Sequence, residues 1–176
     1  MIEIHDKVFE PCISREEINV IVETMAHQMA FLKTENPLFI ILLKGSFMFA
    51  SDLLKALPFD AEVCFMQIKS YEGTKSTNTI TDLMGIPQEL KDRTLVVVED
   101  IIDTGNTIEY LNKRLLAEQP RSIHYASFLL KPSVYQKPLK IDFVGKEIPN
   151  DFVVGYGLDY NELGRTLPKI YKLKSN

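Results

Sequence analysis

The chain has 176 residues and a mass of 20.2 kDa, a length typical of one domain. It is 45% hydrophobic and 25% charged, which excludes collagen, coiled coils and a largely disordered chain. The net charge is −4, and the longest apolar stretch, Leu38 to Leu43, is far shorter than the roughly 18 residues of a membrane span, so we expect no nucleic-acid or membrane partner.

The first half of the chain predicts two helices around a buried strand. Ser14 and Glu17 form a capping box, and apolar residues at helical spacing follow, which predicts a helix over about 14–32. Residues 39–43 form a short apolar run, typical of a strand buried on both faces. A second helix follows with these residues expected to face inward: Phe47, Leu53, Leu54 and Leu57.

The second half predicts further strands, a helix and a loop. Strands are expected at 63–69, 95–98, 123–130, 141–144, 152–154 and 170–173. A helix between the 95–98 and 123–130 strands has as its predicted apolar face Ile108, Leu111, Leu115 and Leu116. Residues 70–80 are mostly polar and predict a mobile loop. The alternation predicts one α/β domain over residues 1–176 with a mostly parallel central sheet flanked by helices, in which ligands bind beyond the carboxyl ends of the strands.

The most informative segment follows the 95–98 strand. Glu99 and Asp100 end the strand, Asp103 follows, and a small hydroxyl-rich turn opens a helix: Thr104, Gly105, Asn106 and Thr107. Backbone N–H groups at such a turn bind a phosphate, while the carboxylates accept hydrogen bonds from the hydroxyls of a sugar. The simpler alternative is an acidic helix N-terminus, with Asp103 as its cap.

This segment resembles the phosphoribosyl-pyrophosphate (PRPP) motif of type I phosphoribosyltransferases. The similarity extends over nearly the whole chain to the hypoxanthine-guanine group of that family, through residues 43–46, 70–71, 131, 152–160 and 165. The resemblance implies the family fold, with a small hood formed by the chain ends. It also implies a Mg²⁺-dependent purine-salvage reaction, in which ribose 5-phosphate passes from PRPP to hypoxanthine, or to guanine, and pyrophosphate leaves.

The resemblance assigns roles to residues on several loops. Asp103 would be the general base for the purine, and residues 99–107 would bind PRPP. Pyrophosphate would be bound by Lys44, Gly45 and Arg165, with a non-proline cis peptide between Leu43 and Lys44. The purine would be bound in a C-terminal segment, about 145–176, and by Lys131, with these residues in contact with it: Phe152, Val153 and Asp159. Asp159 would also hold Mg²⁺, and a second Mg²⁺ would lie near Glu99 and Asp100.

Further expectations concern loop closure and assembly. Ser70 and Tyr71 would lie at the base of a loop that closes over the site and excludes water. Gly164, directly before Arg165, departs from the family, which carries a bulky aromatic there. The resemblance implies a homodimer or homotetramer.

An alternative function stays open at this point: a PRPP-sensing regulator that has the fold without the catalysis. The full set of polar site residues and the negative net charge count against it. Cys12 and Cys64 lie in no CxxC pattern, and Cys64 is expected in the core. With no visible secretory signal, the chain is expected in the cytoplasm.

Overall fold

The computed structural model describes residues 1–70, 80–84 and 89–174 of the chain. In that part, the elements are, in order, β1 (Ile2–Ile4), β2 (Lys7–Ile13), α1 (Arg15–Gln28), a 3-10 helix (Ala30–Glu35), β3 (Leu38–Leu43), α2 (Phe47–Ala56), β4 (Glu62–Ser70), β5 (Ile80–Met84), β6 (Thr94–Ile102), α3 (Asn106–Ala117), β7 (Ser122–Leu130), β8 (Phe143–Glu147), β9 (Val153–Val154) and β10 (Ile170–Leu173). These strands form a larger and a smaller sheet.

The larger sheet has the strand order β5-β4-β3-β6-β7-β8. Strands β4, β3, β6, β7 and β8 pair in parallel, whereas β5 pairs antiparallel with β4 at one edge. The chain moves from β3 to β4 on one side and later to β6 on the other, which makes the β3–β6 junction the switch point where open α/β sheets bind ligands. The predicted mostly parallel α/β sheet is therefore confirmed.

Helices cover both faces of this sheet. Ile41 and Val98 belong to the apolar cluster that includes the buried faces of α1 and α2, while Ile40 and Val97 belong to the cluster that includes α3. Successive strand residues point to opposite faces, so burial on both sides explains why β3 and β6 are continuous apolar runs. None of the helices in the described residues is long and apolar enough to cross a membrane.

Two residues expected to face inward are exposed. Phe47 has 41% of its surface exposed, and Leu116 has 56%. Phe47 lies about 200° around the helix from Phe49, which belongs to the buried face of α2. Leu116 lies about 100° from Leu115, at the edge of the buried face of α3. Both predictions were wrong because each assigned to the buried face of its helix an apolar residue that lies beside that face.

The first predicted helix is divided in two. Ser14 caps α1 as expected, and its Oγ accepts a hydrogen bond from the Glu17 backbone N–H at 3.1 Å. The α-helix ends at Gln28, and the 3-10 helix then takes the chain to Glu35, so the predicted span of 14–32 covers two elements.

The smaller sheet is the expected hood of the chain ends. Its antiparallel order is β1-β2-β10-β9, and Ile4, Phe9 and Val154 form its apolar core. The strand at 170–173 is confirmed, whereas β8 and β9 begin one or two residues later than predicted. Strands β1, β2 and β5 were not predicted from the sequence.

Candidate active site

Three neighbouring strand ends bring the predicted site residues to one edge of the larger sheet. Lys44 and Gly45 follow β3, Glu99 and Asp100 lie near the end of β6, and Lys131 follows β7. Because β3, β6 and β7 are parallel neighbours, these ends lie side by side at the switch point.

The adjacent carboxyl groups of Glu99 and Asp100 differ in their partners: Asp100 accepts backbone hydrogen bonds, whereas one buried oxygen of Glu99 has no donor. Burial, reinforced by the charge of Asp100, raises the pKa of Glu99 well above its ordinary value. Burial also raises the pKa of Asp100 to about 6, although backbone hydrogen bonds and Arg165 oppose the shift. Glu99 Oε2 is buried and has no hydrogen-bond partner within the described part of the chain. Such a pair fits a ligand that supplies hydroxyl donors or a hard cation.

Replacement of Asp100 by asparagine is expected to stabilise the fold above about pH 6. The folded carboxyl keeps its proton up to about pH 6, whereas an unfolded one loses it near pH 4. Stability present below pH 4 is therefore lost as the pH rises through 6, and asparagine avoids this loss. We expect a gain of roughly 1–3 kcal/mol at pH 8 that vanishes near pH 4.

Thermal unfolding of both proteins between pH 4 and pH 8 measures this effect. Asp60→Asn removes an exposed carboxylate at the opposite edge of the sheet and is the matched control for the loss of one charge. A melting-temperature difference of the same size at pH 4 and pH 8 would contradict the argument.

The turn at residues 104–107 is shaped by a glycine. Gly105 has φ of 79°, and a Cβ there would lie 2.4 Å from Cε2 of Tyr135, so the position requires glycine on both counts. The turn, with Glu99, lines a cavity of about 100 Å³ at the start of α3. The first backbone N–H groups of a helix have no partner within the helix, so this cavity suits an anion.

Asp103 and Lys131 form a pair beside this cavity. Lys131 Nζ lies 2.8 Å from Asp103 Oδ2 and 3.3 Å from Asn150 Oδ1. Lys131 is only 7% exposed, and its backbone N–H donates to the carbonyl of Ile102 at the end of β6. The site therefore presents a buried cationic donor and a carboxylate acceptor next to each other.

Gly45, Asp100 and Gly157 are stacked in close contact. A Cβ on Gly45 would lie 1.8 Å from Asp100 Oδ2, and a Cβ on Gly157 would lie 1.9 Å from the carbonyl oxygen of Gly45. The loop after β3 thus packs between the acidic pair of β6 and the turn that contains Gly157.

Two cations border this stack. Arg165 Nη2 lies 2.7 Å from Asp159 Oδ1, and its Nη1 donates to the carbonyl of Gly157 at 2.8 Å. Lys44 Nζ, on the loop after β3, lies 3.4 Å from Oε1 of Glu162 in the same C-terminal segment. The arrangement offers two cations, each held by a carboxylate that a polyanionic ligand could replace.

One expectation from the resemblance is met nearby, and one departure from the family pattern has a structural reason. The Leu43–Lys44 peptide bond is cis. Gly164 has φ of 104°, and a Cβ there would lie 3.2 Å from Ile4 Cδ1, so this backbone accommodates the departure from the family pattern and disfavours a bulky residue.

The other predicted residues lie around the hood or at the sheet edge. Phe152 is 44% exposed, with its ring 6.2 Å from Phe9 and 5.8 Å from Tyr160, while Val153 is buried in β9. Ser70 ends β4. Tyr71, with most of the predicted 70–80 loop, lies outside the described residues.

Comparisons with known proteins identify the family. Residues 14–161 match the sequence model of the phosphoribosyl transferase domain. The chain belongs to this phosphoribosyltransferase family. It is 34% identical to a hypoxanthine-guanine phosphoribosyltransferase of Staphylococcus aureus, over 97% of this chain and 96% of that protein. It is 35% identical to one from Aquifex aeolicus, over 99% of each chain. A crystal structure of a hypoxanthine phosphoribosyltransferase from Staphylococcus aureus superposes with a TM-score of 0.89, at 33% identity, over 98% of this chain and 97% of that one.

Three contacts of this phosphoribosyltransferase were missed from the sequence. Tyr135 packs against Gly105, Asn150 accepts from Lys131, and Glu162 pairs with Lys44. All three lie in irregular segments, where no periodic pattern indicates which way a side chain points. The approach of Glu162 depends on a left-handed residue, φ 67°, that the sequence does not mark with glycine.

Proposed function

We propose that this phosphoribosyltransferase acts in purine salvage, as a hypoxanthine phosphoribosyltransferase that also accepts guanine. It transfers the 5-phosphoribosyl group of PRPP to a ring nitrogen of the 6-oxopurine, and the products are IMP or GMP and pyrophosphate.

The observation that carries this proposal is the 2.8 Å contact between Lys131 Nζ and Asp103 Oδ2 beside the anion cavity. A 6-oxopurine presents a carbonyl acceptor next to a ring N–H donor at N7, and a lysine beside a carboxylate is complementary to that edge. A 6-aminopurine would place an amino donor against the ammonium of Lys131, which leaves both unpaired and disfavours binding.

The ribose phosphate would occupy the strand end and turn of β6. Glu99 and Asp100 accept from the two ribose hydroxyls, which would supply the donor that the buried Glu99 Oε2 lacks. The 5′-phosphate occupies the cavity of the turn, with hydrogen bonds from the backbone and hydroxyls of these residues: Thr104, Gly105, Asn106 and Thr107.

The pyrophosphate would lie between the loop after β3 and the C-terminal segment. Lys44 and Arg165 neutralise the departing polyanion, with the backbone of Gly45 in contact with it. As charge develops on this leaving group, cations fixed at the site stabilise the transition state more than the ground state.

Phosphoribosyltransferase reactions generally use Mg²⁺. Among the described residues, no group of three or more His, Cys, Asp or Glu could hold a metal ion alone. The hard oxygens of Asp159, and of Glu99 and Asp100 for a second ion, fit Mg²⁺ held jointly with substrate oxygens and water. When bound, Mg²⁺ would offset the negative charge of the pyrophosphate and ribose oxygens.

The remaining roles concern the purine and the exclusion of water. Phe152 is half exposed and would stack on the ring, while backbone groups of Val153 and Asp159 read its edge. Ser70 ends β4 at the start of the segment expected to exclude water from the cationic anomeric carbon, and that segment, from Tyr71 onward, lies outside the described residues.

We also propose that the chain is a single domain that works in the cytoplasm as a homodimer or homotetramer. Large apolar side chains with much of their surface exposed support an assembly that covers them, among them Val20 at 63% and Phe31 at 56%.

The decisive test mixes the protein with PRPP, Mg²⁺ and one purine at a time, and follows ultraviolet absorbance and pyrophosphate release. We expect nucleotide from hypoxanthine and guanine, and much less from adenine. Binding of PRPP without nucleotide formation from any 6-oxopurine would overturn the proposal and favour a regulatory protein.

A further inference from the structure

A buried tyrosine links the C-terminal site segment to α2. The Tyr156 hydroxyl donates to Asp52 Oδ2 at 2.8 Å, and Tyr156 is only 4% exposed. Its ring centroid lies 5.2 Å from that of Phe128 in the main apolar cluster. Burial and the neighbouring Asp52 carboxylate raise the pKa of Tyr156, so its hydroxyl stays protonated and remains the donor.

Tyr156 lies in a turn that needs an external constraint. Gly155, Tyr156 and Gly157 have φ of 103°, 49° and 103°. A tyrosine adopts the left-handed region at a cost, which the surrounding structure must offset. The backbone N–H of Tyr156 donates to Leu167 and that of Gly157 to Arg165, so the same turn carries the Arg165 segment.

The two ends of this hydrogen bond belong to opposite sides of the proposed pyrophosphate site. Asp52 lies on α2, which begins at Phe47, directly after the loop that contains Lys44 and Gly45. Tyr156 precedes Gly157, which contacts the Gly45 carbonyl and accepts a hydrogen bond from Arg165. The hydrogen bond therefore joins α2, which follows the Lys44–Gly45 loop, to the turn that holds Arg165.

We propose that Asp52 and Tyr156 are positioning residues that set the separation of the Lys44–Gly45 loop from Arg165, and thereby the affinity for PRPP and pyrophosphate. The inference rests on the proposed function, because it assigns both segments to the leaving group. Neither side chain is among those proposed to bind the substrates. The purine pair of Asp103 and Lys131 lies at the ends of β6 and β7 and is expected to be unaffected.

Tyr156→Phe removes the hydroxyl and keeps the buried ring. Asp52 is half-buried and retains Lys55 at 2.6 Å, so no buried charge is left unpaired and the melting temperature is expected to fall by only about 2–4 °C. We expect the KM for PRPP and the Kd for inorganic pyrophosphate to rise roughly three- to tenfold, the size of one lost hydrogen bond. The KM for hypoxanthine should change less than about twofold.

Asp52→Ala and the double variant complete the test. If the two residues act through their contact, Asp52→Ala reproduces the loss and the double variant is no worse than either single one. Asp52→Asn retains a carbonyl acceptor and should recover most of the affinity. Lys55→Ala removes the exposed ion pair with Asp52 and is the matched control, with no expected change in either KM.

Several results would overturn the proposal. These are an equal rise of both KM values, additive losses in the double variant, or unchanged pyrophosphate affinity in Tyr156→Phe. If the wild-type chain forms no nucleotide, the proposed function fails, and the pyrophosphate Kd of the same variants still decides the positioning role. Absence of pyrophosphate binding in the wild type would overturn both.

Discussion

Turnover is expected to fall at least about tenfold when Asp103 is replaced by asparagine, while the affinity for PRPP stays within about twofold. Under the proposed mechanism Asp103 takes the N7 proton as the purine attacks the anomeric carbon. General-base assistance of this kind contributes roughly 10²–10⁴-fold, and an amide does not accept the proton.

The structure makes this substitution a clean test of chemistry. In the wild-type chain Lys131 Nζ lies 2.8 Å from Asp103 Oδ2. Asparagine has the shape of aspartate, and its carbonyl oxygen can still accept this hydrogen bond. The packing of Lys131 is therefore retained, and the loss falls on the proton transfer rather than on the position of the purine.

Single-turnover measurements at saturating PRPP and hypoxanthine are required, because slow product release would mask a slower chemical step. Asp60→Asn, at the amino end of β4, is the control for the loss of one carboxylate and should keep full activity. An unchanged single-turnover rate would remove Asp103 as the base.

The centre of the fold and much of the site could be predicted from the sequence because they depend on local patterns. Buried parallel strands are continuous apolar runs, and β3 and β6 have that composition. If these strands are parallel, the residues that follow them lie at the same edge of the sheet, where the carboxyl ends of the strands meet. The approach of Lys131 to Asp103 was not predicted, because it depends on the β6–β7 register, in which Ile102 pairs with Leu130.

The residues of the C-terminal half of the site were assigned through the family resemblance, but their contacts could not be predicted, because they join segments that are distant in the chain. The close approach of Gly157 to Gly45, and the hydrogen bond from Tyr156 to Asp52, join residues on different elements far apart in the chain. Left-handed residues without a glycine signal shape the 155–165 segment, as Tyr156 and Asn161 show. Strand β2 depends on pairing with β10 at the other end of the chain and was missed for the same reason.

Lys131→Met is expected to weaken hypoxanthine binding roughly 10- to 100-fold, with little effect on PRPP. Lys131 is 7% exposed and is the cationic donor that the proposed function aims at the 6-oxo group. Loss of a hydrogen bond from a charged group costs about 1.5–3 kcal/mol. Methionine keeps the length and apolar volume of the side chain, so the packing against β6 and β7 is preserved while the donor is lost.

The discriminating measurement compares dissociation constants for PRPP and for the purine, with hypoxanthine and adenine side by side. Because the ammonium is what disfavours a 6-amino group, the preference for hypoxanthine over adenine should fall in parallel with the affinity. Lys146→Met, which breaks an ion pair with Glu17 away from the site, is the matched control. A residue that binds only the purine should not change the affinity for PRPP. Equal weakening of PRPP and purine binding would therefore mean that Lys131 has a structural role.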